Sequence, residues 1–156
     1  MSTASRNETI EIRTVSRRTS DSIAQLAGLW NDSVRATHHF LTEDNIRQLQ
    51  PYVIEGLKTI PVLSVATVGN SIVGFIGIAG KKIEMLFVSS CCINKGIGRE
   101  LVKWGQRKYG IRYIDVNEQN EHAVAVYRHW GFSVYERTGI DEQGNPFPIL
   151  KMELKH

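Results

Sequence analysis

Long hydrophobic runs are missing from this chain, and cysteines are few. No apolar run approaches the 18 residues that cross a membrane, and residues 1–8 lack the hydrophobic segment of a signal peptide. The two cysteines, Cys91 and Cys92, are adjacent, which excludes an ordinary disulfide framework and does not match zinc-site spacing. Reduced thiols fit the cytoplasm. We therefore expect a cytoplasmic protein that needs no metal and does not enter a membrane.

Clustered basic residues are also scarce. The net charge is +3, but Arg17-Arg18 and Lys81-Lys82 are too short to form a nucleic-acid surface, which needs clustered Lys and Arg interleaved with aromatics. A mild positive excess suits an anionic cofactor, although it is usually just a solvated surface. A protein that acts on nucleic acid, such as charged tRNA, is therefore the least favoured hypothesis for this chain.

The length of 156 residues allows one core and is too short for two ordinary domains. We expect a single domain over 1–156, with residues 1–9 as a flexible tail. Hydrophobic periodicity and turn residues predict the order β-α-α-β-β-β-α-β-α-β-β. The helix predicted from Glu43 to Lys58 contains Pro51, where we expect a kink or a break. The predicted strands lie at about 10–15, 62–68, 71–79, 82–88, 112–117, 132–137 and 147–155. The other three predicted helices begin near Ser20, begin at the glycine loop, and span 120–131.

The loop after the strand at 82–88 carries the strongest functional pattern. Gly96 and Gly98 open a helix, so unpaired backbone N–H groups and the helix dipole can meet a negative charge, and glycine permits its close approach. This arrangement predicts a pyrophosphate site. Arg99 follows Gly98 where a Walker loop needs Lys, and Leu101 stands where a dinucleotide fingerprint needs glycine. On this pattern alone, a plain strand-to-helix turn remains equally open.

A second segment has a matching pattern downstream. Asn120 is a good helix N-cap, apolar residues follow at helical spacing, and Gly131 is a good helix end. The chain here resembles the GNAT family of acetyl-CoA-dependent N-acetyltransferases. Leu86-Phe-Val88 and Lys95-Gly-Ile-Gly98 match the family's pyrophosphate loop. The downstream family pattern is met in full by Asn120, Ala123, Tyr127, Gly131 and Phe132.

The resemblance to the family covers nearly the whole chain, and three segments resemble a narrower group within the family. Residues 36–41, 116–120 and 141–150 are similar to small bacterial members of the YjaB and YiaC type. The resemblance implies an α/β (α+β) fold with a mixed, mostly antiparallel sheet flanked by helices. It also implies direct transfer of the acetyl group from acetyl-CoA to a primary amine in a ternary complex.

The resemblance assigns the cofactor contacts. The backbones of Phe87 and Val88 are expected to pair with the pantetheine amides as an added strand would. Asn120 is expected to contact the pantetheine arm. The pyrophosphate is expected to meet the N–H groups of Ile93, Asn94, Lys95, Gly96, Ile97, Gly98 and Arg99.

The same resemblance gives three catalytic candidates. Tyr127 occupies the position of the family's usual proton donor to the thiolate, and a phenol keeps its proton at neutral pH. Glu84 is the best candidate base, directly or through water, unless it shares an exposed strand face with Lys82 and Leu86. His38 titrates near neutrality and is a further candidate base. Periodicity alone favours Tyr127 as a packed helix residue, and only the complete motif reverses that preference; a lone histidine such as His38 is more often a structural or surface group.

Two departures from the family pattern keep an alternative open. Ile93 replaces the usual Arg or Gln, and Asn94 replaces a Gly, although Asn tolerates the left-handed conformation. The alternative is a CoA-binding regulatory module with weak or no catalysis. The sequence leaves open the acceptor (protein lysine, protein N-terminus, polyamine, amino acid or aminoglycoside) and whether the protein is a monomer or a homodimer.

Overall fold

The chain is described by a computed structural model that covers residues 9–142 and 144–154. The tail expected over 1–9 therefore lies outside the described residues except for Thr9. Thr19 and Thr42 cap the first two helices, since each hydroxyl accepts a backbone N–H. The strands are β1 (Ile10–Thr14), β2 (Val62–Val68), β3 (Ser71–Ala79), β4 (Lys82–Val88), β5 (Tyr113–Asn117), β6 (Phe132–Thr138) and β7 (Ile149–Leu154), and the helices are α1 (Ser20–Thr37), α2 (Glu43–Thr59), α3 (Ile97–Tyr109) and α4 (Glu121–His129).

All seven strands form one sheet in the order β1-β2-β3-β4-β5-β7-β6. The β4–β5 pair is parallel, and the other neighbouring pairs are antiparallel. The mixed, mostly antiparallel sheet flanked by helices is therefore confirmed, together with the predicted order of elements. The glycine loop connects β4 to α3, so it lies at the carboxyl end of a central strand.

Two apolar cores form because strand side chains alternate between the faces of the sheet. On β3, Phe75 packs with α1 and α2, whereas its neighbour Ile76 packs with α3. Trp30 of α1 and Leu101 of α3 are almost completely buried on opposite sides. The sheet thus separates an α1–α2 layer from an α3–α4 layer.

Several expected details differ from the structure; β6, for example, ends at Thr138 rather than at 137. Helix α2 is continuous across Pro51, so the break that the sequence allowed is absent. Proline removes one N–H from the helix, and the buried Ile46 and Leu57 hold both halves of α2 against the core. The last strand begins at Ile149 rather than at 147, since Pro148 has no N–H to donate to a ladder, and its expected end at 155 lies outside the described residues. Strand β5 begins at Tyr113, one residue after the expected start.

Strand β4 contains a bulge that positions the site. Gly77 pairs with Met85 and Ile78 pairs with Ile83, so Glu84 is the extra residue of β4. The bulge interrupts the alternation of side chains along β4. As a result, Ile83 and Leu86, three residues apart, pack on the same side of the sheet. The strict alternation that would place Lys82, Glu84 and Leu86 on one face is therefore wrong for this strand.

Candidate active site

The loop after β4 is preorganised to present backbone N–H groups. A 3₁₀ turn spans Ser90–Cys92, Asn94 has φ 67°, and Gly96 caps α3 with φ 85°. Asn94 therefore adopts the left-handed conformation expected for it, and Gly96 has a conformation that favours glycine. Helix α3 begins at Ile97, where its first N–H groups lack helical partners.

Asp32 of α1 anchors this loop. Its carboxylate accepts hydrogen bonds from the backbone N–H and the hydroxyl of Ser90, each at 2.8 Å. These bonds hold the pKa of Asp32 below its ordinary value. A contact across 58 residues gives no periodic signal, so sequence reasoning did not find Asp32.

A cavity of about 170 Å³ lies between this loop, the end of β4 and helix α4. A Cβ on Gly98 would lie 3.3 Å from Trp130 Cη2, so glycine allows α3 and α4 to approach closely at its wall. The exposed Lys95 is outside this lining. The predicted site residues that line the cavity are His38, Phe87, Val88, Ile93, Asn94, Gly96, Ile97, Gly98, Arg99, Asn120 and Tyr127.

A second cavity of about 110 Å³ lies between β4 and β5. The two strands pair only through Lys82 and Ile83 of β4, and the cavity begins where this pairing ends. Residues of both strands line this cavity, including Glu84 of β4 and Asp115 of β5. Three residues from outside the strands line both cavities: His38, Asn120 and Tyr127.

Tyr127 is placed by helix α4. Asn120 caps this helix, because its Oδ1 accepts the N–H of Ala123 at 3.2 Å. The Tyr127 ring packs against Trp130 and Phe132, with centroids 5.7 and 6.1 Å away. Desolvation by the surrounding protein raises the pKa of Tyr127 to about 12. The phenol is thus protonated at neutral pH and faces both cavities.

Glu84 lines the second cavity next to a lysine, and its side chain is 34% exposed. Its carboxylate is 3.7 Å from Lys82 Nζ, which also contacts Asp115 at 2.8 Å. Burial raises the pKa of Glu84 above its ordinary value; Lys82 opposes this, and the carboxylates of Glu142 and Asp115 add to it. A carboxylate with a raised pKa is a better proton acceptor than an ordinary glutamate.

His38 caps the end of α1 and contacts α4. Its Nε2 is 3.2 Å from Asn120 Nδ2, and its Nδ1 is 2.8 Å from Thr37 Oγ1. Burial, with a smaller contribution from the charge of His39, lowers the pKa of His38 to about 4. The imidazole is therefore neutral at pH 7.

The chain that forms this loop and these two cavities matches a known family. The model of the acetyltransferase (GNAT) domain matches residues 31–155. The chain belongs to the GNAT acetyltransferase family. It is an N-acetyltransferase that uses acetyl-CoA, as the sequence resemblance predicted.

Relatives and solved structures agree with this assignment. Peptidyl-lysine N-acetyltransferase YjaB of Salmonella typhimurium is 33% identical over 128 residues, which are 82% of this chain and 88% of the relative. The solution structure of apo-form YjaB from Escherichia coli is similar with a TM-score of 0.83 at 33% identity, covering 93% of this chain and 97% of that chain. The structure of yncA from Salmonella typhimurium with acetyl-CoA has a TM-score of 0.62 at 15% identity, covers 94% of both chains and shows the fold alone.

Some residues that line the first cavity were missed from the sequence. Ser33 and Thr37 of α1, and His122 and Val126 of α4, also line the first cavity. His122 and Val126 are four residues apart and so share one face of α4, and that spacing was their only available signal. The α1 residues reach the cavity through tertiary packing.

None of the helices in the described part of the chain is long and apolar enough to cross a bilayer.

Proposed function

We propose that this enzyme acetylates the side chain of a lysine in a peptide or protein, by direct attack of the amine on acetyl-CoA in a ternary complex. The proposal rests on one observation. Tyr127 lines both the first cavity, which would hold the cofactor, and the second cavity between β4 and β5, whereas Glu84 lines only the second. The two substrates can therefore approach one point from different sides. The name of YjaB, a peptidyl-lysine N-acetyltransferase, supports lysine as the acceptor.

The cofactor would be held mainly by backbone groups. The Phe87 and Val88 backbones lie at the β4 end that lines the cavity, where an extended pantetheine arm can pair with them. The N–H groups from Ile93 to Arg99 would meet the pyrophosphate, with the dipole of α3 favouring its charge. Lys95 and Arg99 would add positive charge at the loop.

Glu84 would accept the proton of the incoming amine. A lysine amine has a reference pKa of about 10.4, so it arrives charged and must lose a proton before it attacks the thioester. Glu84 and Asp115 in the second cavity carry the opposite charge to this ammonium. The raised pKa of Glu84 suits the role of base.

Tyr127 would stabilise the departing thiolate. A thiol has a reference pKa of about 8.5, whereas the pKa of Tyr127 is about 12. Complete proton transfer from this phenol to the thiolate would cost about 5 kcal/mol at about 1.4 kcal/mol per pKa unit. Tyr127 therefore acts chiefly as a hydrogen-bond donor to the developing charge.

The test is acetyl-CoA binding by calorimetry, combined with thiol release over a panel of lysine peptides, polyamines and aminoglycosides. We expect saturable binding and turnover of peptides, with Tyr127→Phe and Glu84→Gln each lowering kcat by about 10²-fold. Glu84→Gln should also remove the decline of kcat/KM at low pH. The exposed Tyr135 and Glu136 provide matched controls, Tyr135→Phe and Glu136→Gln.

Each contrary result has a distinct meaning. Binding of acetyl-CoA without turnover of any amine would identify a CoA-binding module instead of an enzyme. Turnover of polyamines or aminoglycosides, with none of peptides, would show that the acceptor class is wrong. Unchanged kcat in Tyr127→Phe would remove Tyr127 from the chemistry.

We further propose that the protein works in a bacterial cytoplasm. The relatives named above come from bacteria, and Cys91 and Cys92 are free thiols, which fits a reducing compartment. Fractionation of the source cells, with immunodetection of the native protein, tests the compartment.

A further inference from the structure

A chain of hydrogen bonds connects the end of α1 to the start of α4. Thr37 Oγ1 is 2.8 Å from the Ser33 carbonyl oxygen and 2.8 Å from His38 Nδ1. His38 Nε2 is 3.2 Å from Asn120 Nδ2, and Asn120 Oδ1 accepts from the Ala123 N–H at 3.2 Å. The chain passes through the wall shared by both cavities.

The two ends of this chain fix its direction. A carbonyl oxygen can only accept, so Thr37 donates its hydroxyl hydrogen to Ser33 and must accept from His38 Nδ1. At the other end, the Ala123 N–H can only donate, so Asn120 accepts it through Oδ1 and presents its NH₂ group to His38 Nε2. Both ends therefore require the same neutral imidazole, with the proton on Nδ1 and the lone pair of Nε2 occupied.

The second N–H of the Asn120 amide is left over. Asn120 is only 7% exposed, and within residues 9–142 and 144–154 this hydrogen finds no acceptor beyond the bonds already described. The residue lines the cofactor cavity. A buried amide N–H without a partner is costly, so a carbonyl of bound acetyl-CoA is a suitable acceptor for it.

We propose that His38 is a positioning residue, which holds the Asn120 amide so that its free N–H meets a carbonyl of acetyl-CoA, and that His38 is not the base. The inference rests on the proposed function and assigns a role within the same site. Occupation of the Nε2 lone pair by Asn120 leaves His38 no free site to accept a proton from the amine. The low pKa of His38 agrees with this role.

Thr37 gives the sharpest test, because it fixes the tautomer without touching Asn120. Thr37→Val removes the acceptor for His38 Nδ1 and keeps the shape of the side chain. We expect the Kd and KM for acetyl-CoA to rise about three- to tenfold, with kcat and the acceptor KM changed less than twofold. Thr37→Ser, which retains the hydroxyl, should restore the wild-type values.

A matched control lies at the end of α2. The hydroxyl of Thr59 donates to the Glu55 carbonyl in the same manner, on an exposed surface. Thr59→Val should leave the Kd for acetyl-CoA unchanged. Imidazole ¹⁵N NMR of the whole protein at pH 7 gives a readout that needs no turnover, and it should show the His38 proton on Nδ1.

Three results would overturn the proposal. They are an Nε2–H tautomer of His38, an unchanged acetyl-CoA Kd in Thr37→Val, and a His38→Gln variant that lowers kcat alone and loses the low-pH decline of its rate. Calorimetry and NMR do not depend on the acceptor, so failure to acetylate peptides would contradict the proposed function without deciding this inference.

Discussion

His38 makes the stability of the protein depend on pH. Its pKa is about 4 in the folded protein and 6.5 as a reference value. Between these values the unfolded chain binds more protons than the folded chain, so stability rises with pH in this window and falls as pH is lowered from about 6.5 to about 4. This is the opposite of the behaviour of Glu84, whose raised pKa favours the folded state at low pH.

The size of the His38 effect can be measured with a variant. From pH 7 to pH 5 we expect the free energy of unfolding to lose up to about 2 kcal/mol through this group. Urea titrations of His38→Gln should show a correspondingly smaller loss. The exposed His129 provides the matched control variant, His129→Gln. Equal pH dependence in wild type and His38→Gln would contradict the assignment.

Residue types predicted part of the site. Asn94 was expected to tolerate a left-handed turn, and it has φ 67°, because its short polar side chain permits that conformation. Asn120 was expected to cap α4, and its Oδ1 does accept a first-turn N–H. In contrast, the exposure of Glu84 could not be read from strand alternation, because a bulge depends on the partner strand.

At the scale of elements, α1 links the two sides of the site. Asp32 holds the loop between β4 and α3, and His38, at the end of the same helix, reaches Asn120 at the start of α4. The helix is firmly anchored, since Leu26, Trp30 and Val34 are buried against the sheet. The loop is therefore positioned by a helix that takes no part in the β4–α3 connection.

The loop anchor gives a prediction about affinity. Asp32→Ala removes both acceptors for Ser90, so the 3₁₀ turn loses its brace and the N–H groups become less ordered. We expect the Kd for acetyl-CoA to rise about three- to tenfold, measured by calorimetry. Asp21→Ala, in the first turn of the same helix, is the control. An unchanged Kd in Asp32→Ala would show that the loop holds its shape without α1.

At the scale of the whole molecule, the sheet separates two cores that can be tested independently. Ile23 of α1 and Ile78 of β3 are buried in different cores, at 5% and 1% exposure. We expect Ile23→Val and Ile78→Val each to cost about 0.5–1.5 kcal/mol. The double variant should equal the sum within about 0.5 kcal/mol. Urea unfolding of the four proteins gives these values, and a marked departure from additivity would mean that the cores are coupled through the sheet.

The sequence by itself determined the order of elements, the glycine loop and the family. These features depend on local periodicity, on turn and cap residues and on motifs a few residues long, such as Lys95-Gly-Ile-Gly98 and the pattern from Asn120 to Phe132. Each of these features can be recognised within one segment of the sequence. Because the turn residues between β2, β3 and β4 are local signals of this kind, the three strands have the predicted boundaries.

Only the tertiary structure decided how the site is assembled. The opening between β4 and β5, the brace from Asp32 and the contact of His38 with Asn120 all involve residues that are distant in sequence. The bulge at Glu84 is set by the pairing of β4 with its neighbour β3. Such contacts depend on how strands pair and helices pack around two cores, and no local pattern encodes them. The physical reason is that burial and hydrogen-bond partners, which set the pKa of His38 and the direction of the Asn120 amide, exist only once the chain is folded.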